Sequence, residues 1–198
     1  MPPNPEPPSL PPGPTLQPWP KLGSRRLGDF RIFTLREERK TSPRTGREHD
    51  FFVIDSRNWV NVIALTPDRQ VVMVEQFRHG SETVELEIPG GIIDPEDASP
   101  AVAGERELRE ETGYEGEAAR LIGQVWPNPA IQSNTCFTVL VENCHCLHAL
   151  EFDHDEDLVT HLVPVAELPG LVAADRIRHA LVVVALYHFE LWQRELKR

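Results

Sequence analysis

The sequence predicts a mixed α/β or α+β domain on three observations. Alternation of β type fills roughly residues 21–90, a capped helix follows near residue 100, and further strand-like runs lead into an amphipathic helix at the end of the chain. With 198 residues, 40% of them hydrophobic and 26% charged, the chain suits one soluble core. The expected layout is a proline-rich tail over residues 1–20 and a single domain over residues 21–198.

Ten of the 19 prolines lie in the first 20 residues, a composition that favours extended chain over helix or sheet. Beyond that tail, Phe30–Leu35 alternates and Asp50–Asp55 is an apolar run of strand length. Val60–Leu65 and Val71–Val74 flank Thr66–Gln70, which reads as a hairpin with a Pro-Asp turn. Thr83–Ile88 alternates until Pro89, Gly90 and Gly91 stop it, and the paired glycines imply unusual dihedrals or a close approach by another group. Ser99 can cap a helix that begins at Pro100, runs through Thr112 and stops at Gly113. Phe137–Val141 and Leu158–Val165 read as strands. A final helix from about Asp175 sets Ile177, Leu181, Val184, Leu186, Phe189, Trp192 and Leu196 near helical spacing.

The formal net charge of −11 argues against coating of nucleic-acid phosphates, which needs a basic footprint. The acid is concentrated: residues 81–120 carry 12 acidic and three basic side chains, and 151–157 add five acids. No run of about 18 apolar residues exists to span a bilayer, and the N-terminus has no signal-peptide pattern. Three cysteines, Cys136, Cys144 and Cys146, suit a reduced, cytoplasmic protein. Cys144, His145, Cys146 and His148 invite a zinc reading. An extended segment would point alternate side chains to opposite faces, which weighs against one shared metal.

Glu107, Glu110 and Glu111 stand at i, i+3 and i+4, so three carboxylates share one side of a helix. Arg106 and Arg109 could balance them as a solvated face. A hard divalent cation is the other compensation, because Mg²⁺ takes oxygen ligands from a few carboxylates and from substrate phosphates.

The run Arg106-Glu107-Leu108-Arg109-Glu110-Glu111-Thr112-Gly113-Tyr114 resembles the core of the Nudix box. In that pattern a Gly, five residues, a Glu and seven residues precede Arg-Glu-apolar-any-Glu-Glu-any-Gly-apolar. Counting from Gly91 places Asp97 where the pattern has Glu, and eight residues separate Asp97 from Arg106, one more than the pattern. The resemblance extends from about residue 21 to the end. It implies an α/β/α sandwich with a mixed central sheet and added N-terminal antiparallel strands.

It also implies cleavage of a pyrophosphate linking a nucleoside to another moiety, with two or three Mg²⁺ ions, or Mn²⁺ in their place. Glu107, Glu111 and the carbonyl of Gly90 would be metal ligands. Glu110 would be a ligand or a partner of the general base, and Arg106 would hold the carboxylates. In the ADP-ribose-type members an acidic loop lies downstream of the box, and 153–157 matches its place. There Glu156 is the chosen ligand or base, with a solvated acidic turn as the alternative.

The segments Val74–Arg78 and Glu85–Gly91 look like the ADP-ribose and nucleotide-sugar branch. On that likeness Arg78 lies near the diphosphate, which planar guanidinium donors suit, and Glu87 lies near the site. Trp126–Asn134 resembles a loop that closes over a sugar, with Pro129 near a characteristic proline. Members of that branch dimerise through N-terminal strands, here about 21–57. Phe30, Phe33, Phe51, Phe52 and Trp59 are candidates for stacking a base at that interface, or for the core.

The leading expectation is Mg²⁺-dependent hydrolysis of ADP-ribose to AMP and ribose 5-phosphate by a homodimer, with no nucleic acid and no membrane as partner. GDP-mannose, dinucleoside polyphosphates and a non-catalytic nucleotide-sugar sensor are the alternatives.

Overall fold

The computed structural model describes residues 15–150 and 157–196. Strands β1 (Lys21–Asp29), β2 (Phe33–Thr41) and β3 (Glu48–Ser56) form an antiparallel sheet in that order. Strand β4 (Trp59–Ala64) enters the body of the domain, and β5 (Gln70–Arg78), β6 (Thr83–Glu87) and the short β7 (Gly90–Ile92) follow. After helix α1 (Pro100–Thr112) come β8 (Tyr114–Glu115), β9 (Arg120–Val125), β10 (Cys136–Val141), β11 (His145–Cys146) and β12 (Leu158–Pro164). A 3-10 turn leads into α2 (Leu168–Ala173), and α3 (Ala180–Leu196) ends the described chain. Among the described residues no helix is long and apolar enough to cross a membrane.

The central sheet has the order β7-β4-β10-β9, with β4 and β10 parallel and the other pairs antiparallel. A second sheet has the order β12-β5-β6. Because side chains alternate across a strand, β4 serves two cores. Val60, Val62 and Ala64 join Val139, Val141, Ala103 and Leu108 beneath α1. Ile63 and Leu65 join Leu140, Val182, Ala185 and Phe189 beneath α3. A sheet covered on both faces explains why Val60–Leu65 is apolar throughout apart from Asn61.

Helix α1 has the predicted ends. The Val102 N–H donates to Ser99 Oγ at 3.3 Å, Pro100 occupies the first turn, and Gly113 at φ 72° donates its N–H to the Arg109 carbonyl.

Four expectations change in detail. Phe30–Leu35 is not one strand, because Arg31 at φ 68° turns the chain between β1 and β2. The Pro-Asp turn is present, with the Thr66 N–H donating to the Gln70 carbonyl, yet a single β-bridge, Leu65 with Val71, links its two arms, and β4 and β5 join different sheets. Burial on the two faces decides that partition, and the local turn does not. The final helix starts at Ala180, leaving 174–179 as a connecting loop, and its buried face is Val182, Ala185 and Phe189 while Leu196 is exposed. Of the aromatic candidates, Phe30, Phe51 and Phe52 are exposed, with Phe30 stacked on Phe33 and Phe51 edge-on to Trp19. The N-terminal sheet keeps both of its faces too open to bury them.

His188 on α3 packs against Gly123 of β9, where any side chain would collide with the ring. Burial holds its pKa below the ordinary value of 6.5, so the folded protein carries the neutral ring. Its contribution is fully present above that ordinary value and is lost as pH falls below it, where the unfolded chain takes up the proton more readily. Melting curves should show midpoints that decline as the medium is acidified below 6.5. A shallower decline is expected in His188→Gln, and an identical slope would remove the imidazole as its cause.

Candidate active site

The glutamate helix reaches the sheet because small residues lie under it. A Cβ on Gly104 would stand 2.5 Å from Val139 Cγ2 and 3.3 Å from Val62 Cγ2, so this turn of α1 packs directly on β4 and β10. One turn on, Glu107 faces β7, where a Cβ on Gly91 would lie 2.5–2.8 Å from its carboxylate. Glu111 accepts a hydrogen bond from the Gly90 N–H at 3.0 Å. The paired glycines therefore serve a close approach, and neither adopts a positive φ. Glu107 and Glu111 are both buried, unlike a solvated helix face.

Arg106 ties this region together. Its guanidinium donates to Asp97 Oδ2 at 3.0 Å, to the Ile92 carbonyl at 3.0 Å and to Glu110 Oε2 at 3.0 Å, and it lies 3.0 Å from Glu107 Oε1. Asp97, helped by the Asp94 N–H, anchors the loop before α1 on Arg106. The Arg106 hydrogen bond holds the Asp97 pKa below its usual value, and Asp97 in turn is the main cause that raises the pKa of Arg106. The shorter acid and the additional loop residue thus place a carboxylate on the arginine rather than among the helix glutamates.

The opposite wall is built by β5, β6 and the loop before α3. Arg78 forks onto Glu87 at 2.8 and 2.9 Å, and His179 Nδ1 lies 2.8 Å from Glu87 Oε2. Burial alone would raise the Glu87 pKa, but Arg78 and His179 outweigh it and hold the carboxyl at about 2. Beside it, Glu85 accepts from Thr83 Oγ1 at 2.6 Å and from Arg178. These residues and Gly90–Gly91 line one cavity of about 760 Å³, with Trp59 and Leu181 as apolar wall.

Of the sequence-predicted positions, Arg78, Glu87 and Gly90 line that cavity, and Glu107 and Glu111 abut its glycines. Glu110 and Arg106 form the next layer through their ion pair. Pro129 is exposed on the β9–β10 loop and does not line the cavity. That loop is fastened to β3, with the Ile54 N–H donating to the Ile131 carbonyl at 2.7 Å. Glu156 lies outside the described residues.

Three titratable cavity residues, Glu85, Arg178 and His179, were not singled out from the sequence. Glu85 shares the period-two face of Glu87, a signal that was readable. Arg178 and His179 were hidden by starting the helix five residues early. In the cysteine-histidine segment, Cys144 is buried with its thiol pushed up to about 12 by burial, whereas Cys146 and His145 are exposed.

Among the described residues no three His, Cys, Asp or Glu side chains form a ready metal cage. The donor chemistry nevertheless fits a hard cation. Glu85, Glu87, Asp97, Glu107, Glu110 and Glu111 outnumber the guanidinium groups of Arg78, Arg106 and Arg178, and Mg²⁺ needs only one or two protein carboxylates when phosphate supplies the rest.

Because Arg106 serves three carboxylates, Arg106→Leu should lower unfolding stability by about 3 kcal/mol in urea titrations. A loss below about 1 kcal/mol would mark these contacts as surface pairs of little weight.

A sequence model of the NUDIX domain matches residues 55–184. The ADP-ribose pyrophosphatase of Bacillus subtilis is 29% identical over 133 residues, covering 67% of this chain and 71% of that protein. A methanol dehydrogenase activator of Bacillus methanolicus is 30% identical over 139 residues, covering 70% and 74%. A solved structure described as an ADP compounds hydrolase superposes with a TM-score of 0.82 over 93% of this chain and 98% of its own, at 22% identity, and so shares the fold. With the domain matched across most of its length, this chain belongs to the Nudix hydrolase family.

Proposed function

We propose that the protein hydrolyses the pyrophosphate bond of a nucleoside diphosphate sugar with Mg²⁺, converting ADP-ribose and water to AMP and ribose 5-phosphate. The observation that carries this reading is the pair of buried carboxylates, Glu107 and Glu111, held against Gly90–Gly91 at the edge of a cavity whose other wall carries Arg78. Relatives named ADP-ribose pyrophosphatase, in Bacillus subtilis and in Mycobacterium tuberculosis, support the choice of substrate.

In this reading Glu107, Glu110, Glu111 and the Gly90 carbonyl hold the cation, with Glu156 joining from the acidic loop. A bound Mg²⁺ supplies charge neutralisation and a more acidic water. Arg106 orients the helix carboxylates through its contacts with Glu107 and Glu110. Arg78, steered by Glu87, presents planar donors to the diphosphate. Glu110 or Glu156 accepts the proton of the attacking water as its oxygen bonds to phosphorus and the anhydride P–O bond breaks.

The reading also takes residues 1–20 as a tail, 21–198 as one domain and 21–57 as the dimerisation element. Leu22, Leu27, Phe30, Phe51 and Phe52 leave the N-terminal sheet with exposed apolar surface of the kind two copies would cover.

Purified protein with Mg²⁺ should release AMP from ADP-ribose faster than it cleaves GDP-mannose or dinucleoside polyphosphates. Glu111→Gln should lower kcat by about 100-fold or more. Millimolar Mg²⁺ should raise the melting temperature of the native protein and leave that of Glu107→Gln unmoved. No turnover of any nucleotide substrate would end the enzymatic reading in favour of a sensor. Sedimentation should give a dimer, and a monomer that persists at high protein concentration would remove the role proposed for 21–57.

A further inference from the structure

The loop before α3 belongs to the cavity as firmly as the glutamate helix does. Three contacts stitch this loop and the first turn of α3 to the sheet: Arg178 donates to Glu85, His179 meets Glu87, and the Leu181 carbonyl accepts from Asn61 Nδ2 at 3.2 Å. Asn61 in turn pairs with Gly90 across the β4–β7 ladder, so the segment is in register with the glycine strand.

The geometry at His179 has a chemical consequence. Glu87 is 2% exposed and accepts two bonds from Arg78, so it is an ionised acceptor. Its partner nitrogen, Nδ1, must therefore carry the proton. The His179 side chain is nevertheless 39% exposed. With its Nδ1 edge spent on a buried carboxylate, the polar atom of the ring not engaged by Glu87 is Nε2. In the neutral ring that atom is a hydrogen-bond acceptor. Arg78 and Arg178 beside it are donors only, and the carboxylates of Glu87 and Glu85 that share the wall already accept from them.

We propose that His179 is a substrate-contacting specificity residue whose Nε2 accepts a hydrogen bond from a sugar hydroxyl of the diphosphate substrate. This rests on the reading that the cavity binds a nucleoside diphosphate sugar. The guanidinium groups of Arg78 and Arg178 suit phosphate oxygens; an acceptor fixed beside them suits a hydroxyl. An acceptor left facing a ligand without that hydroxyl gives up a bond, which is how polar sites reject analogues.

The test uses the full chain and two variants. His179→Asn keeps an amide N–H at the place of Nδ1 and so the contact with Glu87, but it removes Nε2; His179→Phe removes both. Three substrates are compared: ADP-ribose, the methyl ester of ADP, which has no second sugar, and ADP-ribose built on 2′,3′-dideoxyadenosine. For ADP-ribose, kcat/KM should fall about tenfold in both variants. The fall should vanish for whichever of the other two lacks the contacted hydroxyl, which also says which ribose His179 reads. Calorimetric dissociation constants without added metal should show the same ratios. A wild-type value in His179→Asn, with loss only in His179→Phe, would mean that the ring merely supports Glu87 and would overturn the proposal. So would an equal fall on all three ligands. If the native protein bound ADP-ribose without hydrolysing it, the hydrolase reading would fail, and the binding ratios would still decide the role of His179.

Discussion

Glu107 and Glu111 can stand against the Gly90–Gly91 strand only because nothing but backbone lies between that strand and α1. A single methyl group on Gly91 would occupy the space of the Glu107 carboxylate, and one on Gly104 would push the helix off Val139. Cores are packed too densely to absorb such a displacement locally. The N-terminal cap at Ser99 and the left-handed stop at Gly113 then set the length and rotation of the helix, so that i and i+4 face β7 together. The geometry of the carboxylate cluster is thus a consequence of backbone-to-helix distance, which glycine alone permits.

That approach concentrates negative charge in places with little water. Glu85, Glu87, Glu107 and Glu111 are all buried. Two cationic hubs keep the arrangement tolerable, Arg106 on the helix side and Arg78 with Arg178 on the β6 side, where His179 Nδ1 adds a hydrogen bond to Glu87. Burying charge without such partners costs several kcal/mol per ion. A divalent cation beside the cavity would offset further negative charge there. The acidity of β6 and α1 is therefore gathered on and beside the cavity wall.

Legibility differed by element. Helix α1 was readable almost to the residue, because its cap, its first-turn proline and its glycine stop are local hydrogen-bonding and steric effects. Its family signature was equally local. Strands β4, β5, β6, β10 and β12 were visible as apolar or alternating runs, while β9 was missed, since Arg120–Val125 neither alternates cleanly nor is uniformly apolar. The early start given to α3 had the largest effect on the site. It folded Arg178 and His179 into a helical pattern, whereas the buried Ile177 belongs to the preceding loop and satisfies the same apolar spacing by tertiary contact.

The sequence by itself determined the fold class, the helix that carries three carboxylates, the glycine pair beside it and the family, because each of these is encoded within a dozen neighbouring residues. Only the tertiary structure decided that Asp97 serves Arg106 and that Arg78 and His179 share Glu87. It also separated Pro129 from the cavity. The physical reason is distance along the chain. The Glu87–His179 contact joins residues 92 apart, and its existence depends on which face of which sheet buries α3. Local propensities carry no information about that choice; the packing of two cores on one sheet does.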